Sequence, residues 1–143
     1  MDQQVIFVID DDESICRSLR RLLQSAGFHV RTFISGNDFL NQGCQNMSGC
    51  LILDVRMPEI GGLELQKRLN DSGCKMPIIF MSAHQDNGTR KEALNAGAIA
   101  FLQKPFEDQL LIETIHSALA RFTDEHTETN QEESLNNIGK KEL

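Results

Sequence analysis

The chain has 143 residues, of which 40% are hydrophobic, and a formal net charge of −7. This length fits one domain with its own core, and the hydrophobic content excludes a chain that is disordered throughout. The acidic balance argues against direct nucleic-acid binding by this chain, because a basic patch is the usual footprint of that function. The longest apolar runs are too short to span a bilayer, and polar and acidic residues follow Met1 at once. We therefore expect a cytoplasmic protein without a secretory signal or a membrane partner.

The four cysteines show neither CxxC pairs nor the spacing of a zinc site. They are Cys16, Cys44, Cys50 and Cys74. We interpret all four as reduced thiols, which is the usual state of cysteine in the cytoplasm.

Short apolar runs alternate with segments of helical periodicity along the chain. The predicted strands cover 5–9, 28–33, 50–55, 77–82 and 98–103, and the predicted helices cover 13–26, 35–42, 62–71, 88–96 and 107–122. The second strand alternates polar and apolar residues, as an edge strand does. In the first helix, Ile15, Leu19, Leu22, Leu23 and Ala26 recur at helical spacing. Ser35 is the predicted N-cap of the second helix.

Strict alternation of five strands and five helices predicts an α/β fold with a doubly wound parallel sheet and helices on both faces. The composition changes at residue 123, because 123–143 contains six acidic residues against two lysines and no useful apolar stripe. We expect a folded domain over 1–122 and an acidic, disordered tail or interdomain linker over 123–143.

Residues able to carry chemistry follow four of the five predicted strands. They are Asp10, Asp11 and Asp12 after the first strand, Asp54 at the end of the third, Ser82 at the end of the fourth and Lys104 after the fifth. Ligands of such sheets bind beyond the carboxyl ends of the strands, so we expect these side chains to share one edge.

The three adjacent aspartates need a compensating partner. Two carboxylates about 5 Å apart repel by roughly 3 kcal/mol at an effective dielectric constant of about 20. Carboxylate oxygens suit Mg²⁺ or Mn²⁺ rather than zinc. A carboxylate beside such a cation, a lysine and a hydroxyl is equipped for phosphoryl transfer, and Asp54, alone at the end of the central strand, is the best candidate nucleophile.

Other residues of this region have structural interpretations. Asp12 and Glu13 precede a predicted helix, where a negative charge is favourable, so an N-cap role is expected for them. His84 is interpreted as a loop histidine rather than a catalytic base, and Phe101 as a core residue of its strand.

Four stretches together resemble the receiver domain of bacterial two-component response regulators. They are "VIFVIDDDES", "LILDVRMPEIGGLEL", "PIIFMSAH" and "NAGAIAFLQKPF", and the resemblance covers 4–122. The runs "DDDES" and "KPFEDQLLIETI" look most like the FixJ-like branch of that family. The resemblance implies a flavodoxin-like sheet with strand order 2-1-3-4-5. It also implies a sensor histidine kinase as partner, and transcriptional output through a LuxR-type DNA-binding domain that lies outside this chain.

Carried onto this sequence, the resemblance implies that Asp54 is the phosphoacceptor. It implies that Asp11 most directly, with Asp10, Asp54 and the backbone carbonyl of Arg56, holds Mg²⁺, and that Lys104 contacts the phosphoryl group. Such a domain catalyses only its own phosphorylation and dephosphorylation, and is not otherwise an enzyme.

The resemblance also implies roles in switching. Ser82 would close on the phosphoryl group while Phe101 turns inward, and Arg56 and His84 occupy positions that tune the lifetime of the aspartyl phosphate. The 88–121 face would then change shape and form a phosphorylation-dependent homodimer or contact an output domain.

Two alternatives remain open from the sequence. The first keeps the fold but is a docking module that is never phosphorylated. The second is a haloacid-dehalogenase-like phosphatase, because Asp10-x-Asp12-x-Ser14 fits the motif in which the first aspartate is the nucleophile.

Overall fold

The computed structural model describes residues 4–43, 47–84 and 87–121. The strands are β1 (Val5–Ile9), β2 (His29–Phe33), β3 (Gly49–Asp54), β4 (Ile78–Ser82) and β5 (Ala100–Gln103). The helices are α1 (Glu13–Ser25), α2 (Gly36–Gln42), α3 (Gly62–Asp71), α4 (Asn87–Asn95) and α5 (108–121). The structure therefore confirms the predicted alternation of five strands and five helices.

The five strands form one parallel sheet with the order β2-β1-β3-β4-β5. This confirms the doubly wound fold and its implied order 2-1-3-4-5. The order reverses at β1, which has β2 on one side and β3 on the other, so the ligand crevice of this fold is expected beyond the ends of β1 and β3. β2 lies at an edge of the sheet, as its alternating sequence predicts.

The sheet separates two hydrophobic clusters because successive strand residues point to opposite faces. In β1, Ile6 and Val8 belong to the cluster that packs under α1 and α5. Phe7 and Ile9 belong to the other cluster, which contains Phe39 of α2 and buried residues of α3 and α4. Both faces of β3 and β4 are buried, which explains their continuous apolar sequences.

The buried stripe of α1 differs from the predicted one. Cys16, Leu19 and Leu23 are the buried residues of this helix. Ile15 is only partly buried, and Ala26 is the exposed C-cap rather than a core residue. The spacing i, i+3, i+7 still defines one helical face, which keeps the predicted Leu19 and Leu23 but has Cys16 rather than Ile15 as its buried residue in the first turn.

The cysteine prediction is wrong at one position. Cys16 and Cys50 are free, as predicted, and both are buried. Cys74 is disulfide-bonded, so it is not a reduced thiol. Cys44 lies outside the described residues. Spacing along the chain did not indicate this bond, because folding rather than sequence separation brings the bonded sulfurs together.

The helix α5 packs one face on the sheet, since Leu111, Ile115 and Ala118 are buried. Phe122 and the predicted tail over 123–143 lie outside the described residues, so the domain boundary at 122 remains a prediction. Within the ranges that the structure describes, no helix is both long and apolar enough to cross a membrane.

Gly62, the first residue of α3, allows this helix to begin against the end of β3. A Cβ atom at Gly62 would lie 2.5 Å from the carbonyl oxygen of Asp54 and 2.9 Å from a ring carbon of Phe80. A side chain at this position therefore cannot be accommodated without moving backbone at Asp54.

We expect Gly62→Ala to lower the free energy of unfolding by about 1–3 kcal/mol, the usual effect of overpacking, when measured by urea titration. Gly36→Ala is the matched control because Gly36 also begins a helix, and its added Cβ would lie 3.5 Å from Ile60 and Leu65. The control should change the unfolding free energy by no more than about 1 kcal/mol. Equal losses in the two variants would contradict the packing argument.

Candidate functional site

Three carboxylates meet where β1 and β3 end. Asp54 is the last residue of β3, and Asp10 directly follows β1, which pairs with β3. Asp10 is 1% exposed and Asp54 is 7% exposed, whereas Asp11 is exposed. One oxygen atom from each of the three side chains lies within 4.8 Å of the other two. The strand order thus brings together the aspartates that the sequence analysis selected.

Lys104 joins this cluster from the far side of β4. Its backbone N–H donates to the carbonyl oxygen of Ser82 at 2.7 Å, which fixes the chain directly after β5. Its side chain extends past the end of β4 and donates to Asp10 Oδ2 at 3.0 Å and to Asp54 Oδ1 at 3.1 Å. One ammonium group therefore bridges the two buried carboxylates and reduces their repulsion.

The charges shift the ionisation of this cluster in a consistent way. Burial, and next the negative charge of Asp10, raise the pKa of Asp54, and the hydrogen bond from Lys104 offsets this only in part. Burial acts to lower the pKa of Lys104, but its hydrogen bonds to Asp10 and Asp54 outweigh burial and raise that pKa overall. Lys104 is thus held as a cation, while Asp54 is a more basic carboxylate than an exposed aspartate.

Asp12 has the capping role that was predicted for it. It is the N-cap of α1, and its Oδ1 accepts from the backbone N–H of Ser14 at 2.9 Å and from the Ser14 hydroxyl at 2.6 Å. The Ser14 hydroxyl lowers the pKa of Asp12. The backbone N–H of Asp12 donates to Asp10 Oδ1 at 2.9 Å, so the start of the helix also orients Asp10. Two of the three residues in the motif of the phosphatase alternative, Asp12 and Ser14, are thus hydrogen-bonded to each other.

Cys16 contributes to the site but was not selected from the sequence. Its buried Sγ donates to the backbone carbonyl oxygen of Asp10 at 3.3 Å and ties the first turn of α1 to the end of β1. Burial, and next the charge of Asp10, raise the pKa of this thiol, so it stays protonated and able to donate. The helical spacing from Cys16 to Leu19 and Leu23 is the signal that could have placed Cys16 on the inward face.

The acidic cluster fits a hard divalent cation. It offers carboxylate oxygens from two buried residues and one exposed residue, and such oxygen donors suit Mg²⁺ or Mn²⁺. The exposed Asp11 leaves the cluster open to water on one side. Arg56, whose carbonyl the resemblance adds to the ligand set, is exposed in the loop between β3 and α3.

The remaining predicted residues make their contacts with residues outside the acidic cluster. The Ser82 side chain is 3% exposed, and its hydroxyl donates to the carbonyl oxygen of His84 at 2.9 Å and accepts from the His84 N–H at 3.0 Å. His84 itself is exposed. The half-buried Phe101 packs beside Phe80, with their ring centroids 6.1 Å apart. The structure thus groups three aspartates with Lys104. The Ser82 hydroxyl is instead hydrogen-bonded to the backbone of His84, in the loop that follows β4.

An acid–lysine site at the switch point of a flavodoxin-like sheet is characteristic of receiver domains. The family profile described as "Response regulator receiver domain" matches residues 6–116 of this chain. The chain therefore belongs to the response regulator receiver domain family of two-component systems.

Named relatives agree with this assignment. The response regulator protein TmoT of Ectopseudomonas mendocina is 44% identical over 117 residues, which are 82% of this chain and 53% of TmoT. The transcriptional regulatory protein FixJ of Azorhizobium caulinodans is 40% identical over 136 residues, 95% of this chain and 63% of FixJ. The solved structure of the response regulator StyR superposes with a TM-score of 0.85 at 40% identity, covering 95% of this chain and 69% of StyR. The FixJ-like character is therefore confirmed.

The chain spans little more than half the length of these two curated relatives, 53% of TmoT and 63% of FixJ. The match thus concerns the receiver part of proteins that are longer.

We expect Asp54→Asn to raise the free energy of unfolding at pH 7 by more than about 0.5 kcal/mol, the scatter of ordinary surface substitutions. The pKa of Asp54 is raised in the folded protein, so its ionised form is disfavoured there. Ionised Asp54 therefore lowers the free energy of unfolding at a pH above this pKa. The loss of stability disappears as the pH falls through the pKa and Asp54 becomes protonated. Asparagine removes the charge but can still accept from Lys104. Urea titrations at pH 7 and near pH 4 should show the gain shrinking at the lower pH, and a gain that does not change with pH would contradict this origin.

Proposed function

We propose that this chain is the phosphoacceptor receiver domain of a two-component response regulator, with Asp54 as the residue that is phosphorylated. The observation that carries the proposal is the bridge from Lys104 Nζ to Asp10 and Asp54, in a cluster where a third acid, Asp11, faces solvent. This arrangement provides a buried nucleophile, a cation beside it and an open side for the phosphoryl donor.

The donor in this proposal is the phosphohistidine of a sensor histidine kinase or a small acyl phosphate. An oxygen of the Asp54 carboxylate attacks phosphorus and forms the new O–P bond. The bond from phosphorus to the donor breaks, and the imidazole or the carboxylate leaves with its electron pair. Lys104 is placed to neutralise charge on the transferred phosphoryl oxygens.

A divalent cation is part of the proposal. Asp11 most directly, with Asp10, Asp54 and the carbonyl oxygen of Arg56, would hold Mg²⁺ or Mn²⁺. When bound, the ion supplies positive charge to the phosphoryl oxygens and offsets the repulsion among the carboxylates. The exposed position of Asp11 gives the ion access, while the buried Asp10 is kept in place by its hydrogen bonds from Asp12 and Lys104.

The switch in this proposal depends on Ser82. Its hydroxyl is bonded to the backbone of His84, and a phosphoryl group on Asp54 would offer it a charged acceptor instead. Ser82 would then move toward Asp54 and Phe101 would turn inward, which changes the 88–121 face. Arg56 and His84, both exposed beside the site, would tune the lifetime of the phosphorylated form.

The output in this proposal is transcriptional. Named relatives are transcriptional regulators, and the chain covers about half to two thirds of their length. We propose that 1–122 is the receiver and 123–143 the linker of a longer cytoplasmic regulator with a LuxR-type DNA-binding domain. A homodimer formed through the 88–121 face would couple phosphorylation to that domain.

We expect Asp11→Asn to weaken Mg²⁺ binding at least tenfold, measured by isothermal titration, because it removes one of three ligating charges. Asp12→Ala is the matched control, since Asp12 is the next residue, is also exposed and caps α1. The control should lower the free energy of unfolding by about 1 kcal/mol and change the Mg²⁺ affinity by less than about twofold. Equal losses of affinity would show that general negative charge, not this cluster, attracts the ion.

We expect the full chain to gain one phosphoryl group when incubated with Mg²⁺ and acetyl phosphate, read from the intact mass. Asp54→Asn should gain none. Lys104→Ala should still be phosphorylated but should show a weaker conformational response, since Lys104 would connect the phosphoryl group to the end of β5. A wild-type chain that binds Mg²⁺ but accepts phosphate neither from acetyl phosphate nor from a kinase would support the unphosphorylated docking module instead.

A further inference from the structure

One buried polar side chain lies outside the candidate site. The polar or charged residues that the described ranges bury are Asp10, Asp54, Ser82 and Gln66. Asp10 and Asp54 belong to the acidic cluster, and Ser82 is the last residue of the neighbouring strand β4. Gln66, which is 2% exposed, lies in the middle of α3. A buried amide is unfavourable unless its hydrogen bonds are satisfied, so its partner indicates what the residue does.

Gln66 bonds to the end of the neighbouring helix α4. Its Nε2 donates to the backbone carbonyl oxygen of Ala93 at 3.0 Å. One turn further along α3, Asn70 Nδ2 donates to the carbonyl oxygen of Ala96, also at 3.0 Å. Residues four apart lie on the same helical face, so both amides point at α4. The carbonyl oxygen of Ala93 also accepts from the backbone N–H of Ala98 at 3.0 Å, so Gln66 adds a second hydrogen bond there, while Asn70 bonds the carbonyl group that directly follows the helix.

The rest of α4 is held lightly. Among the residues of α4, Ala93 is the one that is buried, whereas α1 buries three side chains against the sheet. Arg90 Nη1 donates to the carbonyl oxygen of Phe101 at 3.2 Å, but this contact is exposed to water. A helix with so little buried apolar surface belongs to the less stable part of a fold. The two amide hydrogen bonds therefore add to the positioning of a helix that buries little apolar surface.

We propose that Gln66 and Asn70 form an amide clamp that opposes rearrangement of α4 and so sets the balance between the two conformations of the switch. This inference rests on the proposed function. α4 begins five residues after Ser82, so a movement of Ser82 toward Asp54 displaces the start of α4, while the clamp holds its end. Moving the end of α4 would leave the buried amide of Gln66 without its acceptor, which is costly. The clamp thus stabilises the arrangement in which Ser82 is bonded to His84.

The test compares the wild-type chain with Gln66→Met, which keeps the side-chain length and removes the donor, and with Asn70→Ala at an exposed position. Gln24→Met is the matched control, because it makes the same chemical change at an exposed residue of α1. Hydrogen exchange measures how often α4 opens. Titration with fluoroberyllate in the presence of Mg²⁺, as a mimic of the phosphoryl group, measures the balance of the switch.

We expect Gln66→Met to accelerate exchange of the α4 amides by roughly 3- to 10-fold, the worth of one net hydrogen bond, while the amides of β1 and β3 change less than about twofold. By linkage, the fluoroberyllate concentration for half-maximal response should fall by a similar factor. Asn70→Ala should act in the same direction with a smaller effect, and it preserves the test if Gln66→Met does not fold. Gln24→Met should change neither quantity.

Two results would overturn the clamp. Exchange of α4 in Gln66→Met and Asn70→Ala that equals the wild-type rate would show that the amides do not hold the helix. Faster exchange with an unchanged fluoroberyllate midpoint would show that the contacts are the same in both conformations and do not bias the switch. Failure of the proposed function looks different, because the wild-type chain itself would then not respond to fluoroberyllate, while the exchange rates would still report on the clamp.

Discussion

The site depends on the bridge that Lys104 makes between Asp10 and Asp54. Burying two carboxylates next to each other is unfavourable both because each loses water and because the two repel. The ammonium group contacts both, at 3.0 and 3.1 Å, and supplies the opposite charge that the pair needs. The lysine neutralises one of these two negative charges. The nearby Asp11 adds another, so the cluster keeps a net negative charge. That residual charge is why the same site suits a divalent cation. Burial, and next the charge of Asp10, keep the pKa of Asp54 raised in spite of the lysine.

The parallel sheet makes this bridge achievable with few residues. Asp10 and Asp54 come from adjacent strands, and Lys104 comes from β5, two strands away from β3. The side chain of Lys104 is long enough to pass the end of β4, where its backbone is bonded to Ser82. The backbone N–H of Lys104 donates to Ser82, and the Ser82 hydroxyl is hydrogen-bonded to His84 in the loop between β4 and α4. A group that binds between Lys104 and Asp54 is therefore connected to that loop through Lys104 and Ser82. Glycine at position 62 completes the arrangement, because α3 begins against the carbonyl group of Asp54.

The sequence predicted the parts of this structure that are encoded locally. Apolar runs of five or six residues mark the strands, and the polar residue after each run marks its end, so Asp10, Asp54 and Lys104 could be placed at one edge. The prediction failed where side chains from different elements meet. In the first turn of α1 the buried residue is Cys16 rather than Ile15, and only the packing of the helix on the sheet determines which of the two lies against Asp10. The bonded state of Cys74 and the contact from Gln66 to α4 likewise depend on tertiary distances that residue spacing does not encode.

The proposed switch works within a small free-energy range. The two hydrogen bonds between Ser82 and His84 are neutral, and each is worth about 1 kcal/mol net, whereas bonds to a charged acceptor are worth about 1.5–3 kcal/mol. Exchanging the two neutral bonds for one charged bond therefore gains about 1 kcal/mol at most, before the cost of moving the loop and α4 is subtracted. Phosphorylation could then reverse the balance only if the two conformations already lie within that range. Within this range, the hydrogen bond of one buried amide such as Gln66 is large enough to change the balance between the two conformations. The helix that it supports, α4, buries only Ala93 among its own residues. Control of such a switch would then lie partly outside the acidic site, in whatever holds α4 to its neighbours.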